Sequence, residues 1–196
     1  AKMLEATKRD PLETLGVLSP RQGEATVQAV AINAVMAGCE PRHMPILLAA
    51  VEAMTETKLN LDGINATTHP CAVFVLVHGP IARTAGIHGG SGCFGPAFPS
   101  NVSIGRAVRL ILLNIAGATP GKGDRATQGS PAKIAFCSAE REDQSPWPPF
   151  HTTRGLDAQD SGVTVFVCEG PHNIQDHGSN TGEGILLTVD GAMGQA

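Results

Sequence analysis

The 196-residue chain is 42% hydrophobic and carries 23 glycines, which excludes a disordered polymer and makes one domain over residues 1–196 the expectation. Charged residues are only 16%, against about 25% in an average globular protein, and the formal net charge is −4, so no electrostatic grip on nucleic acid or on an acidic membrane is expected. No run approaches the ~20 apolar residues of a membrane span, and the five cysteines show no paired spacing, which points to free thiols in the reducing cytoplasm.

The start, AKMLEATKRDPLET, holds acidic residues and no apolar h-region, so it does not read as a signal peptide. The sequence begins at Ala1 without Met, as a fragment or a processed subunit would. Arg9 to Leu18 reads as a short helix. Gly23 to Ala37 reads as a second, with Val27, Val30, Ala31, Ala34 and Val35 on one face. Glu40 to Thr57 is a third: Pro41 suits its first turn, and Leu47, Leu48, Val51 and Met54 mark a buried stripe. Gly63–Thr68 and Cys71–His78 are expected strands. The latter is apolar on both faces, as a central covered strand requires. Asn101–Ala116 is a helix, Lys133–Ser138 and Val163–Glu169 are strands, and Gly182–Met193 is a terminal helix. Strands mixed with helices of this length predict an α/β chain: a single layered domain, a mostly parallel sheet flanked by helices. Three Gly- and Pro-rich loops, Gly86–Pro99, Gly117–Pro131 and Glu140–Gly162, are long enough to carry function. From Gly63 to Gly105 the only formally charged residue is Arg83, which suits burial, a subunit interface or a pocket.

Ligands of open α/β sheets bind beyond the carboxyl ends of the strands. Thr67, Thr68 and His69 follow the first expected strand, and His78, Gly79 and Pro80 the second. Glu140 and Glu142 follow the third; Glu169, His172 and Asn173 follow the fourth. Parallel strands would gather these groups on one rim.

Cys39 falls at or beside the N-cap of the Glu40–Thr57 helix. There the dipole and unpaired N–H groups favour a thiolate. His43, one turn on, would reach it, while Glu40 opposes the shift. The bland alternative is a small residue buried in a helix–helix turn. Cys137 and Cys168 lie in apolar strands and Cys71 begins one, so these three read as structural. Gly90, Gly92 and Gly95 formally match GxGxxG, but no strand leads directly in and Pro96 and Pro99 intervene, so no nucleotide fingerprint is present. The loop, with Ser91 and Asn101 beside it, would still seat an anion, aided by Arg106 and Arg109 on the next helix. Trp147, in a Pro-rich run, is an expected pocket wall, lid or subunit anchor. His172, Asp176 and His177 would supply ligands to a divalent metal, zinc or iron, with Glu140 or Glu142 nearby. HExxH and CxxC are absent, and Gly90-Ser91-Gly92 lacks the placement of a nucleophile elbow.

The runs NAVMAGC (Asn33–Cys39), ATTHP (Ala66–Pro70), IGRAVRL (Ile104–Leu110), SPW (Ser145–Trp147) and GPHNIQDH (Gly170–His177) resemble a bacterial family. They look like the large domain associated with UGSC (seleno)proteins, over roughly Pro11 to Gly191. That resemblance implies thiol or selenol redox chemistry and a small thiol or selenol partner protein. The chain itself has no Cys-Gly-Ser-Cys run.

The leading expectation is thus a cytoplasmic, oligomeric enzyme acting on a small, anionic substrate. Cys39 would be its nucleophile or redox thiol, and His43 or His172 would move protons. Thr67, Thr68, His78, Gly90, Ser91, Gly92, Asn101, Arg106, Trp147 and Asn173 would contact substrate. The first rival is a metal-dependent hydrolase or lyase with Glu140 or Glu142 as base. The second is a non-catalytic partner of a separate redox chain.

Overall fold

The computed structural model describes residues 1–194. A short helix α1 (Lys2–Glu5) precedes an antiparallel hairpin of β1 (Thr14–Leu18) and β2 (Gly23–Thr26). The hairpin replaces the expected helix over Arg9–Leu18 and the first turn expected from Gly23. Thr14 and Val17 favour extended backbone. Gly16, at φ +151°, sits where the register shifts, and Gln22 reaches φ +54° in the turn.

Helix α2 (Val27–Ala37) therefore starts at its cap, Thr26, whose hydroxyl accepts the Ala29 N–H at 3.1 Å. It ends at Gly38, whose φ of +85° lets its N–H turn back to the Ala34 and Val35 carbonyls. A 3₁₀ turn, Pro41–His43, leads into α3 (Met44–Thr55). This helix buries Met44, Ile46, Leu47, Leu48, Ala50, Val51 and Met54, so it is the central post of the core rather than a half-exposed cover. Helix α4 (Leu61–Ala66) stands where a strand over Gly63–Thr68 is expected; Asn60 caps it through the Gly63 N–H at 3.2 Å.

Strand β3 (Ala72–His78) forms as expected and is the middle of a three-stranded sheet. Helices α5 (Pro80–Thr84) and α6 (Pro99–Asn114) follow it. Strand β4 (Cys137–Ala139) pairs with β3 in parallel, shorter than expected because Pro131–Lys133 forms a 3₁₀ turn. Strand β5 (Gly162–Cys168) pairs on the other side, antiparallel. Helices and small mixed sheets make this an α/β chain. The expected single, mostly parallel sheet does not form: the larger sheet pairs three residues in parallel and seven antiparallel, and the hairpin is a separate sheet.

Alternation along β3 divides its neighbours. Val73, Val75 and Val77 join Cys137, Ala139 and the apolar sides of α3 and α6 in one core. Phe74 faces the other way, its ring 4.6 Å from Phe136, 5.8 Å from Phe94 and 6.2 Å from Phe166. That second face is covered by loops, which is where a ligand can enter. Helix α7 (Gly182–Met193) buries none of its residues and exposes Ile185, Leu186 and Leu187. Among the described residues no helix is long and apolar enough to cross a membrane.

Gly105 sets the spacing of α6 against the sheet. A Cβ there would lie 2.3 Å from the Phe136 backbone nitrogen, on the lead into β4. Gly105→Ala should cost about 1–3 kcal/mol through forced separation of helix and strand, against the gain a helix interior normally takes from this change. A urea titration followed by circular dichroism measures it; an unchanged or raised midpoint contradicts the close approach.

Candidate metal centre

The register of β3 and β4 builds the site. Val77 pairs with Ala139, so the next residues, His78 and Glu140, emerge side by side on the loop-covered face. His78 Nδ1 lies 2.6 Å from Glu140 Oε2. Across the antiparallel edge, Thr164 shares that face, and its hydroxyl lies 2.7 Å from His78 Nε2. With the Nδ1–H donated to Glu140, Nε2 is left to accept the Thr164 hydroxyl. The Phe150 N–H donates to both Glu140 oxygens, at 2.9 and 3.1 Å.

Glu142 is held by the Gly79 N–H, which donates to its Oε1 at 2.6 Å. Only glycine serves at position 79. Its φ of +73° and ψ of −163° suit a residue without Cβ, and a Cβ would lie 2.0 Å from the Asp160 carbonyl oxygen. His151 comes from a 3₁₀ turn, Phe150–Arg154, in the long loop before β5. It is 1% exposed, and its ring lies 5.5 Å from that of His78.

His151 carries the decisive geometry. Its Nε2 lies 3.0 Å from the Asp157 carbonyl, an atom that only accepts, so Nε2 bears a proton. A ring without a second proton would turn a lone pair at Nδ1 toward Glu142 Oε1, 3.7 Å away. Nδ1 is buried and has no hydrogen-bond partner. Two acceptors facing each other in a buried place call for a cation or a proton between them. A carbonyl on the far nitrogen is also how metal-ligating imidazoles are commonly oriented. One ligand atom from each of His78, Glu140, Glu142 and His151 lies within 4.8 Å of the others. Two imidazoles and two carboxylates form a donor set for zinc, iron or manganese.

The structure thus joins three expected residues, His78, Glu140 and Glu142, to one that carries no motif, His151. The other expected residues lie elsewhere. Because β5 is antiparallel, its carboxyl end leaves from the far side of the sheet and takes His172, Asn173, Asp176 and His177 with it. The Asp176 carboxylate is occupied as a turn anchor, accepting from Gly178 N, Ser179 N and the Thr188 hydroxyl. These hydrogen bonds hold it well below the usual carboxylate range. Among the described residues, His172, Asp176 and His177 do not form a ligand-distance group. Thr67 and Thr68 lie at the amino end of β3. Thr67 accepts the His69 N–H, and the Thr68 carbonyl accepts the Thr127 N–H.

Asn101 is a buried clamp. Its side chain joins the His88 N–H and the His88, Cys93 and Cys137 carbonyls at 2.7–3.2 Å, leaving it committed to structure. Gly90 packs against Arg141, Gly92 makes a turn at φ +74°, and the Ser91 carbonyl accepts from His88 Nε2. Trp147 stands 76% exposed. Arg106 lines a cleft beside α6.

Cys39 does not sit at the start of α3. It follows the Gly38 cap, its N–H closing the end of α2 on the Ala34 carbonyl at 2.9 Å. It therefore meets the negative end of a helix dipole rather than the positive one. Burial pushes its thiol up to about 12. His43 cannot serve as its base: Nδ1 accepts the Glu40 N–H at 3.1 Å and Nε2 donates to the Ala85 carbonyl at 3.2 Å.

No family model, curated protein or solved structure matches the chain.

Two outcomes follow from this electrostatics. At about pH 8 a thiol at 12 is ionised on the order of one part in 10⁴, so Cys39 should resist iodoacetamide in the native protein and react after denaturation. Rapid native labelling of Cys39, located by peptide mass mapping, contradicts its burial. Burial also holds His78 and His43 below the ordinary 6.5, against the pull of Glu140 on one and of the Ala85 carbonyl on the other. The unfolded chain then binds more protons as the pH drops, so their contribution is complete above about pH 6.5 and lost below it. Urea midpoints of metal-free protein should fall between about pH 7.5 and 5.5, and a flat profile contradicts neutral burial.

Proposed function

We propose that His78, Glu140, Glu142 and His151 hold a divalent metal ion and that the protein is a metal-dependent hydrolase or lyase of small molecules. The observation that carries this reading is the orphaned, buried Nδ1 of His151 aimed at a carboxylate. A bound divalent ion supplies Lewis acidity and lowers the pKa of a water. The chain's own groups do the rest. The Gly79 and Phe150 N–H groups orient the carboxylates, and Asp157 fixes the His151 tautomer. Thr164 restrains the His78 ring.

A cleft of about 420 Å³ opens beside Glu140 and Glu142, lined by Arg83, His88 and Arg141. Its volume suits a small molecule; Asp143 also lines it and holds Arg141 at 3.0 Å. The thiol-dependent reading has less support, since the high pKa of Cys39 opposes a nucleophile.

Elemental analysis tests the proposal. Protein purified without chelator, or titrated with Zn²⁺, Mn²⁺ or Fe²⁺, should bind about one ion per chain. Glu142→Gln and His151→Ala should each weaken binding by about 10-fold or more while the circular dichroism spectrum is kept. Absence of stoichiometric binding by the native chain for all three ions overturns the reading, as does unaltered binding by both variants.

A further inference from the structure

At the other end of β3 a second cleft carries an unbalanced charge. It is lined by Arg106 and Arg109 from α6, by Asp124, by the loop Ala126–Pro131, and by Lys133 and Ile134. Its volume is about 870 Å³. The Thr127 N–H and the Ser130 hydroxyl tie the loop to the Thr68 and Pro70 carbonyls. The cleft is therefore separated from the His/Glu cluster by the length of the strand, roughly 20 Å.

Asp124 is 4% exposed and saturated. Lys133 Nζ donates to both its oxygens at 2.9 Å, the Ala126 N–H donates at 3.1 Å, and Arg109 lies 3.2 Å from Oδ2. The side chains of Arg109 and Lys133 are themselves 13% and 11% exposed. Two nearly buried cations thus share one carboxylate. Arg106, half-buried on the same wall, has no hydrogen-bond or ion-pair partner among the described residues. Three positive charges against one negative leave an excess of two, in a place where water screens poorly. Burial already pulls the Arg109 guanidinium below its ordinary value, Asp124 opposing. The successive N–H groups of Gln128, Gly129 and Ser130 donate to no acceptor among the described residues, around a glycine at φ +74°. Leu113, Pro120, Pro131 and Ile134 add an apolar flank.

We propose that this cleft binds a small organic dianion of the phosphate-monoester type. Arg106 reaches the phosphoryl oxygens, Arg109 and Lys133 supply field, and the apolar flank takes the organic part. Charge selects the class: two excess positive charges match a dianion, and a guanidinium free of internal partners matches phosphate oxygens in fork geometry. The site is distinct from the metal centre, so the proposal stands whether or not that centre holds an ion.

Isothermal titration calorimetry with phenyl phosphate tests it on the whole chain, with inorganic phosphate and succinate as competitors. Phenyl phosphate should bind saturably at millimolar concentration or tighter and more tightly than inorganic phosphate, because only it reaches the apolar flank. Arg106→Gln should weaken it by about tenfold or more, while Lys58→Gln, away from the cleft, should leave it unchanged. In the absence of ligand, Arg106→Gln should melt no lower than the native chain, since it removes an unpaired charge. Absence of saturation by about 20 mM, an affinity unmoved by Arg106→Gln, or tighter binding of succinate than of phenyl phosphate overturns the assignment.

Discussion

Three backbone pairings between β3 and β4, from Val75–Cys137 to Val77–Ala139, place His78 beside Glu140, and everything at the site leans on that juxtaposition. Parallel pairing carries both chains out of the sheet at the same end and on the same face. The next turn of each chain then meets the other: Gly79, leaving β3, donates its N–H to Glu142, leaving β4. The long loop closes the arrangement with the Phe150 N–H and the His151 ring. A polar group withdrawn from water in this way is tolerated when each of its atoms finds a partner. Every polar atom of His78 does, and Glu140 accepts from both His78 and Phe150. The one exception is the atom that a cation would satisfy.

The sequence discloses this much unevenly, for reasons that can be assigned. Long elements with strong pattern are legible: the apolar run of β3, the stripe on α3 and the length of α6 each identify their element. The hairpin is hidden because β1 and β2 are five and four residues long, too short for either period to establish itself, and their identity rests on pairing with each other. Helix α4 is hidden by its Thr67-Thr68 sequel, whose first residue is already extended directly beyond the helix. Glu140, Glu142 and His78 are legible because strand ends are where chemistry collects. His151 has no such marker: its place is decided by a 3₁₀ turn inside a loop, and its meaning by a carbonyl six residues on.

Strand direction is the other limit. Nothing in the composition of Gly162–Cys168 distinguishes a parallel from an antiparallel neighbour, yet the difference exchanges the polar residues at its two ends. Thr164 arrives at His78 where His172 is expected. His69 and Glu169 meet instead at the opposite end, 2.8 Å apart. The deficit of charge along the chain makes those charges that remain more informative. Two groups are buried at opposite ends of β3, one rich in acceptors around His78 and one rich in cations around Asp124.

The reversed run of β5 also bears on how the protein can change. Whatever follows Cys168 departs from the edge of the sheet remote from His78, and α7 seats none of its side chains in the core. That stretch therefore leaves the His78, Glu140, Glu142 and His151 cluster untouched. The stretch between Glu142 and His151 is different, because its length sets how the His151 ring meets the carboxylate it faces.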